Sequence, residues 1–280
     1  MQFFQARNVM EAVERAGPGS YFLAGGTDLA LQLREGKVKP QVLVDLSRVA
    51  ELKTLNASGG CLEIGSMMTF AELGSSELVR TKANALWLAC QSMGSPQIRN
   101  QATIGGNLGN CSPAADGLPP LLALGAEVRL VSRRGEETVS LAELLKRRPL
   151  LQEGTLIKGF LIPDQGWKSG FAKLGRRRAL AIARLSLGIA VKSEGSRAKK
   201  IRVALGAVGE RAFLSEALAE MLEEREMDET WLEAAAAGAQ QVVASALGSR
   251  ASAPYKQAAV AGVMREALAS LAGGEELNGG

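Results

Sequence analysis

The chain has 280 residues, of which 46% are hydrophobic and 22% charged, with a formal net charge of +4. These values are typical of an ordinary globular protein with a sizeable core, in one large or two modest domains. The 33 Lys and Arg residues are scattered among 29 Asp and Glu residues, and only 4% of residues are aromatic. This composition argues against a nucleic-acid binder and favours an anionic small molecule or an acidic partner.

The sequence contains no histidine, which excludes Ser-His-Asp and Cys-His nucleophile systems, the HExxH zinc site and histidine general-base chemistry. Cys61, Cys90 and Cys111 are too far apart for a CxxC-based metal site, so no metal ligands are predicted and the cysteines are expected to pack as small buried residues. A bound organic cofactor would have to supply any catalytic chemistry. No apolar run reaches the roughly 18 residues that span a bilayer. A cytoplasmic protein is expected.

The N-terminal region predicts a β–loop–α–β unit. An apolar pattern over 9–16 predicts a short helix, and a buried strand at 21–24 runs directly into a glycine loop, Gly25-Gly26-Thr27-Asp28. Residues 29–34 predict a helix and 41–45 a second strand. The two strands are expected to be parallel.

The rest of the chain predicts a mixture of strands and helices around one long loop at 94–120. Before the loop, the patterns predict a strand at 61–65 and helices at 69–73 and 83–93. After it, they predict a hairpin at 127–139 and a strand at 156–162, then a domain boundary at 166–170. The C-terminal part predicts strands at 171–174, 182–191 and 200–208, then helices within 212–247 and at 253–271.

The glycine loop at 25–28 lies between a strand and a helix, where backbone N–H groups can converge on an anion and Thr27 can add a hydroxyl donor. Glycine would let a phosphate approach the backbone closely. Taken alone, this motif is weak evidence, because a Gly-Gly pair between a strand and a helix more often only forms the turn and binds no ligand.

A second loop, residues 98–116, is more informative. It has the sequence IRNQATIGGNLGNCSPAAD, which is rich in glycine and in side chains that can donate hydrogen bonds. So long a polar segment inside a compact domain is unusual unless it binds something. We predict a nest of N–H groups for a pyrophosphate here, with Asp116 accepting from ribose hydroxyls or, alternatively, capping the next helix.

Two such loops from separate parts of the chain suit a dinucleotide whose diphosphate is held from both sides. Neither contains GxGxxG with a ribose-binding acid at the right spacing, so a Rossmann fingerprint is absent. A Walker-A loop is absent as well.

At these motifs the sequence resembles the FAD-binding subunit of the molybdenum hydroxylases, the family of xanthine dehydrogenase and aerobic carbon monoxide dehydrogenase. The segments AGGTDL (24–29), IRNQATIGGN (98–107) and SPAAD (112–116) show the likeness, which extends over nearly the whole chain. The resemblance implies an α+β protein with a vanillyl-alcohol-oxidase-type (PCMH-like) FAD-binding domain. Two lobes, at about 1–55 and 56–170, would be followed by a smaller C-terminal domain at 171–280 with an antiparallel sheet and helices.

The resemblance also implies the residues that contact a non-covalent FAD. One side of the diphosphate would be lined by the first loop, with Phe22, Leu23, Ala24, Gly25, Gly26, Thr27 and Asp28. The other side would be lined by Thr103, Ile104, Gly105, Gly106 and Asn107. Asp116 would contact the adenosine half, while Ile157 and Lys173 would lie near the isoalloxazine. No side chain is expected to be catalytic, because the flavin supplies the chemistry.

The partners implied by the resemblance are a large molybdopterin subunit and a small subunit with [2Fe–2S] clusters, with NAD or another molecule as the final acceptor. This chain lacks the cysteine sets for such clusters. Two alternatives stay open at this point. One is a free-standing flavin oxidase or dehydrogenase of the same superfamily, and the other is a scaffold that has lost its flavin, which would predict disrupted loops.

Overall fold

The computed structural model describes residues 1–175 and 181–271. The strands are β1 (Gln2–Gln5), β2 (Ser20–Leu23), β3 (Val42–Asp45), β4 (Leu55–Ser58), β5 (Cys61–Gly65), β6 (Glu127–Ser132), β7 (Gly135–Ser140), β8 (Leu156–Pro163), β9 (Lys168–Leu174), β10 (Leu185–Glu194), β11 (Arg197–Gly206), β12 (Phe213–Leu214) and β13 (Arg225–Glu226). The α-helices are α1 (Val9–Arg15), α2 (Leu29–Arg34), α3 (Phe70–Gly74), α4 (Glu77–Lys82), α5 (Asn84–Ser92), α6 (Pro96–Gln101), α7 (Ile104–Asn110), α8 (Leu118–Ala123), α9 (Leu141–Lys146), α10 (Glu216–Leu222), α11 (Glu229–Leu247) and α12 (Ala253–Ala269).

The chain divides into two compact units. The first comprises Met1–Ser75, Ser95–Cys111 and Ala126–Pro163, and the second comprises Ser76–Gly94, Ser112–Gly125 and Asp164–Gly280. The chain therefore leaves and re-enters each unit more than once. The domain boundaries expected from the sequence stay a prediction.

The first unit contains a parallel three-stranded sheet in the order β1-β3-β2. The predicted parallel pairing of β2 with β3 is confirmed, whereas β1 had no prediction. Phe4, Val44 and Phe22 occupy matching positions across the three strands and pack on one hydrophobic cluster. Helix α1 contributes Val13 to the same cluster and begins at Asn8, whose side chain accepts from the Glu11 N–H.

An antiparallel five-stranded sheet, β4-β5-β8-β6-β7, forms the rest of the framework of the first unit. Val131 on β6 and Leu156 on β8 belong to the same hydrophobic cluster as Val44 of the parallel sheet. This shared core fixes the two sheets of the unit against each other. The predicted hairpin and the strands β5 and β8 are confirmed.

The prediction of one irregular loop over 94–120 is wrong, because the segment contains helices α6 and α7 and the start of α8. Ser95 caps α6 with its side chain and Pro96 occupies the first turn, while Thr103 caps α7 through the Gly106 N–H. Strong local capping therefore overrides the low helix propensity of Gly105 and Gly106.

The second unit is built on an antiparallel sheet in the order β12-β11-β10-β9, with β13 pairing with β11. Helices α10, α11 and α12 contribute to its hydrophobic core, in which Trp231 is 2% exposed and donates its indole N–H to the Leu222 carbonyl at 2.9 Å. Cys90 is buried as predicted, whereas Cys61 and Cys111 are only half-buried. Over residues 1–175 and 181–271, no helix combines the length and apolarity that a bilayer crossing requires.

Candidate functional site

The first unit contains a cavity of about 380 Å³, a volume within the range of small-molecule sites. It is bounded by the end of β2, the start of α2, helix α7 and the segment 151–157. Most of the residues expected from the sequence line it: Phe22, Ala24, Gly25, Gly26, Thr27, Asp28, Thr103, Gly105, Gly106, Asn107 and Ile157. Leu23 and Ile104 are not among the described lining residues.

The first glycine loop lines this cavity and carries a run of backbone N–H groups without a protein acceptor among the described residues. The N–H groups of residues 25–29 have no acceptor among the described residues, whereas the next one, that of Ala30, donates to the Gly26 carbonyl at 2.9 Å. Gly26 has a φ of +72°, a left-handed conformation that L side chains rarely adopt. Because unpaired N–H groups in succession attract anions, this loop can bind a phosphate or diphosphate.

The corresponding N–H groups of the second segment are bonded within the protein. Ile104 donates to the Met68 carbonyl at 3.0 Å, Gly105 to the Ser66 carbonyl at 2.8 Å, and Gly106 to Thr103 Oγ1 at 3.1 Å. The nest of free donors predicted here is therefore not formed by these groups. Their bonds fix the start of α7, which lines the cavity with Thr103, Gly106 and Asn107.

Close approach between protein segments explains the glycines of both loops. A Cβ on Gly25 would lie 1.8 Å from the Gln101 carbonyl oxygen, and one on Gly105 would lie 2.5 Å from the Cβ of Ser66. A Cβ on Gly106 would approach Thr103 Oγ1 to 2.9 Å. The two cavity walls can therefore meet only where these residues are glycine. This packing requirement is independent of whether a ligand needs to approach the backbone.

The charge of the cavity wall is unusual for an anion site. Among the described lining residues, Asp28 and Glu153 are the charged ones, and none is Lys or Arg. An anion bound here would interact with peptide N–H groups and with hydroxyls such as that of Thr27 rather than with a described basic side chain.

The structure adds lining residues that the sequence did not single out. Ser66, directly after β5, lines the cavity and is 3% exposed, and its hydroxyl has no hydrogen-bond partner among residues 1–175 and 181–271. The segment 151–156 completes the wall before Ile157, and Gln32 Nε2 donates to Asn110 Oδ1 at 3.1 Å. Its place as a polar residue at the end of a predicted buried strand is the signal that could have indicated Ser66. Nothing in the pattern of 151–156 indicated its position.

Asp116 and Lys173 belong to the second unit and are not among the described cavity-lining residues. Lys173 Nζ lies 2.5 Å from Asp116 Oδ2, both side chains are 7% exposed, and Asp116 Oδ1 has no partner in the part of the chain that the structure describes. Burial raises the pKa of Asp116, while the adjacent Lys173 acts in the opposite direction. Lys173 Nζ also lies 3.4 Å from the Ser92 carbonyl.

Two protein-family models match the chain. Residues 1–165 match the FAD binding domain in molybdopterin dehydrogenase, and residues 171–271 match the CO dehydrogenase flavoprotein C-terminal domain.

Curated relatives include the nicotinate dehydrogenase FAD-subunit of Eubacterium barkeri, 36% identical over 61% of this chain. That match spans only 60% of the relative's length. The xanthine dehydrogenase FAD-binding subunit of Escherichia coli O157:H7 is 30% identical over 68% of this chain and 67% of its own length.

A solved structure of carbon monoxide dehydrogenase from Hydrogenophaga pseudoflava contains a similar chain. The TM-score is 0.88 at 26% identity, over 97% of this chain and 96% of that chain. The fold class predicted from the sequence, a vanillyl-alcohol-oxidase-type FAD domain with further helix and sheet, is confirmed.

The contact between the two walls yields a first prediction. Gly25→Ala places a methyl group inside the van der Waals radius of the Gln101 carbonyl, so the loop must move and flavin binding should be lost. Gly17→Ala is the matched control in the same unit, because nothing lies within 4 Å of its added Cβ. Flavin content after purification and the thermal unfolding midpoint measure both effects. Full flavin content in Gly25→Ala protein would contradict the contact.

A double-mutant cycle tests the buried pair of the second unit. Asp116→Leu and Lys173→Met should each lower the free energy of unfolding by about 3–5 kcal/mol, because each leaves one charged group buried alone. The double variant should recover most of that loss. Glu77→Gln, which breaks an exposed pair with Arg80, should leave the denaturation midpoint unchanged. Additive losses in the cycle would contradict the coupling.

Proposed function

Because this chain belongs to the family of FAD-binding subunits of molybdopterin dehydrogenases, we propose that it is the medium subunit of a three-component molybdenum hydroxylase. Its cofactor is FAD. The observation that supports the assignment most directly is the run of N–H groups at residues 25–29 that have no acceptor among the described residues, in a loop that lines the cavity of the matched domain.

The residues present fit a dinucleotide. Residues 22–28 would line one side of the diphosphate and bind it through the N–H groups from Gly25 onward and the Thr27 hydroxyl, and Thr103 to Asn107 would cover the other side. Ile157 is buried and lines the cavity with an aliphatic side chain, which suits the edge of the isoalloxazine. Asp116 and Lys173 stay proposed contacts of the cofactor. In the structure the two side chains are paired with each other.

The role of this chain's residues is to bind and shield the cofactor rather than to move protons. When bound, FAD would supply the redox chemistry, taking electrons from [2Fe–2S] clusters of a small subunit and passing them to NAD or another acceptor. The cavity needs no titrating side chain for that role, which agrees with a sequence free of histidine. Substrate would be oxidised at the molybdenum centre of a large subunit.

The relatives support this arrangement and leave the substrate open. Those described above are an FAD-subunit of a nicotinate dehydrogenase and an FAD-binding subunit of a xanthine dehydrogenase. A further relative is the carbon monoxide dehydrogenase medium chain of Hydrogenophaga pseudoflava. Similar subunits thus serve enzymes with different substrates, because substrate selection would take place on another chain. The rival proposal, a free-standing flavin oxidase, would require a substrate pocket on this chain itself.

The cofactor preference tests how the cavity binds its ligand. FAD should bind at least about tenfold more tightly than FMN, since each net hydrogen bond to the added phosphate and ribose contributes about 1 kcal/mol. FAD affinity should change little when the salt concentration is raised from about 0.1 M to about 1 M, which shortens the Debye length from about 10 to about 3 Å. The reason is that no described basic side chain lines the cavity. Fluorescence titration measures both, and equal affinity for FMN would contradict the diphosphate assignment.

A reduction experiment separates the subunit from a free-standing oxidase. The isolated, FAD-loaded chain should not be reduced by xanthine, nicotinate, aldehydes or carbon monoxide, whereas the complex purified from its native operon should be reduced by its own substrate. Anaerobic mixing followed at the visible flavin absorbance band measures this, and dithionite reduction of the isolated chain is the positive control. Rapid bleaching of the lone chain by one of these substrates would favour the oxidase.

A further inference from the structure

Ser66 is held firmly at the cavity by its backbone. Its N–H donates to the Lys158 carbonyl at 3.1 Å, and its carbonyl accepts from the Gly105 N–H at 2.8 Å. These bonds tie the residue to β8 on one side and to the start of α7 on the other. The side chain lies against Gly105, where any Cβ would come within 2.5 Å of the Ser66 Cβ. The backbone and Cβ of Ser66 are therefore held between the two cavity walls.

The hydroxyl of Ser66 is buried without a partner. The residue is 3% exposed, and Oγ has no hydrogen bond to any described residue. Burying a hydroxyl without a hydrogen bond is unfavourable, and an alanine at this position would carry no polar group to desolvate. A ligand that accepts a hydrogen bond in the cavity would remove the penalty.

The other buried side-chain atoms without a partner lie elsewhere. Within residues 1–175 and 181–271 they are Asp116 Oδ1, Arg129 Nε and Ser186 Oγ, and none of these residues lines the cavity. Arg129 and Asp116 each belong to an ion pair through other atoms. Ser186 is fully buried in β10, where a Cβ on Gly206 would lie 2.4 Å from its hydroxyl. Ser66 alone among these four residues combines an unpaired group with a cavity.

We propose that the Ser66 hydroxyl donates a hydrogen bond to the bound flavin nucleotide and helps to position it. The inference rests on the proposed function, since it takes FAD as the occupant of this cavity. The acceptor is an oxygen or nitrogen of FAD, either on the diphosphate or on the isoalloxazine. A serine held for this purpose makes the empty protein less stable and the loaded protein more stable.

The test compares Ser66→Ala with Ser186→Ala, which removes the other buried and unpaired serine hydroxyl. Ser66→Ala should weaken FAD binding about three- to tenfold, the loss of one neutral hydrogen bond. The flavin-free variant should unfold at the same temperature as the flavin-free wild type or higher. Ser186→Ala should leave FAD affinity unchanged. Unchanged FAD affinity in Ser66→Ala, or a lower unfolding temperature of its flavin-free form, would overturn the proposal.

Two further measurements identify the acceptor and separate this inference from its premise. If Ser66 contacts the diphosphate, ADP affinity falls in parallel with FAD affinity and the flavin spectrum is unchanged. If it contacts the isoalloxazine, ADP affinity stays the same while the absorbance maximum or reduction potential of bound FAD shifts. Either result supports the contact. Failure of the wild-type chain to bind FAD would overturn the proposed function, and the inference with it.

Discussion

The cavity depends on one close contact between backbone segments that are distant in sequence. Gly25, at the end of a strand, lies against the carbonyl of Gln101, at the end of helix α6, with no room for a side chain between them. Because Gln101 is followed by the cap Thr103 and helix α7, this contact sets the position of the second wall relative to the first. The shape of the site is thus determined by packing between peptide groups, before any ligand is considered.

That packing also decides which donors are left for a ligand. The first turn of α7 uses its N–H groups to join the carbonyls of Ser66 and Met68 and the Thr103 hydroxyl, so it acts as a fixed wall. The N–H groups of residues 25–29 make no such bonds to the described residues, so they are available to a ligand. One segment provides rigidity and the other provides the N–H groups for an anion, whereas the sequence alone indicates the second loop as the more informative phosphate-binding candidate.

Much of the fold and the family could be predicted from the sequence, and the reasons for the failures are local. The strand–loop–helix–strand order at 20–45 and the hairpin at 127–140 followed from apolar patterns and turn residues, and the family and the FAD cofactor predicted from the motifs are confirmed. Helix α7 was missed because its glycines and asparagines lower helix propensity, which the cap Thr103 outweighs. Helix α6 has no glycine, and its start is set by the cap Ser95 and by Pro96 in the first turn. Strand β1 is too short and too exposed to show a pattern.

The site residues show the same limit. A motif names positions on one segment, so it indicated Gly25 and Gly106 but gave no information on residues brought there by tertiary folding, such as Ser66 and the segment 151–156. Nor could a motif distinguish glycines needed for ligand access from glycines needed for chain packing. Only the short distances from an added Cβ on Gly25 to Gln101, and from one on Gly105 to Ser66, show that packing alone requires these two glycines. Among the described residues no lysine or arginine lines the cavity, so a diphosphate bound there would interact mainly with peptide N–H groups, whose arrangement is set by the same packing.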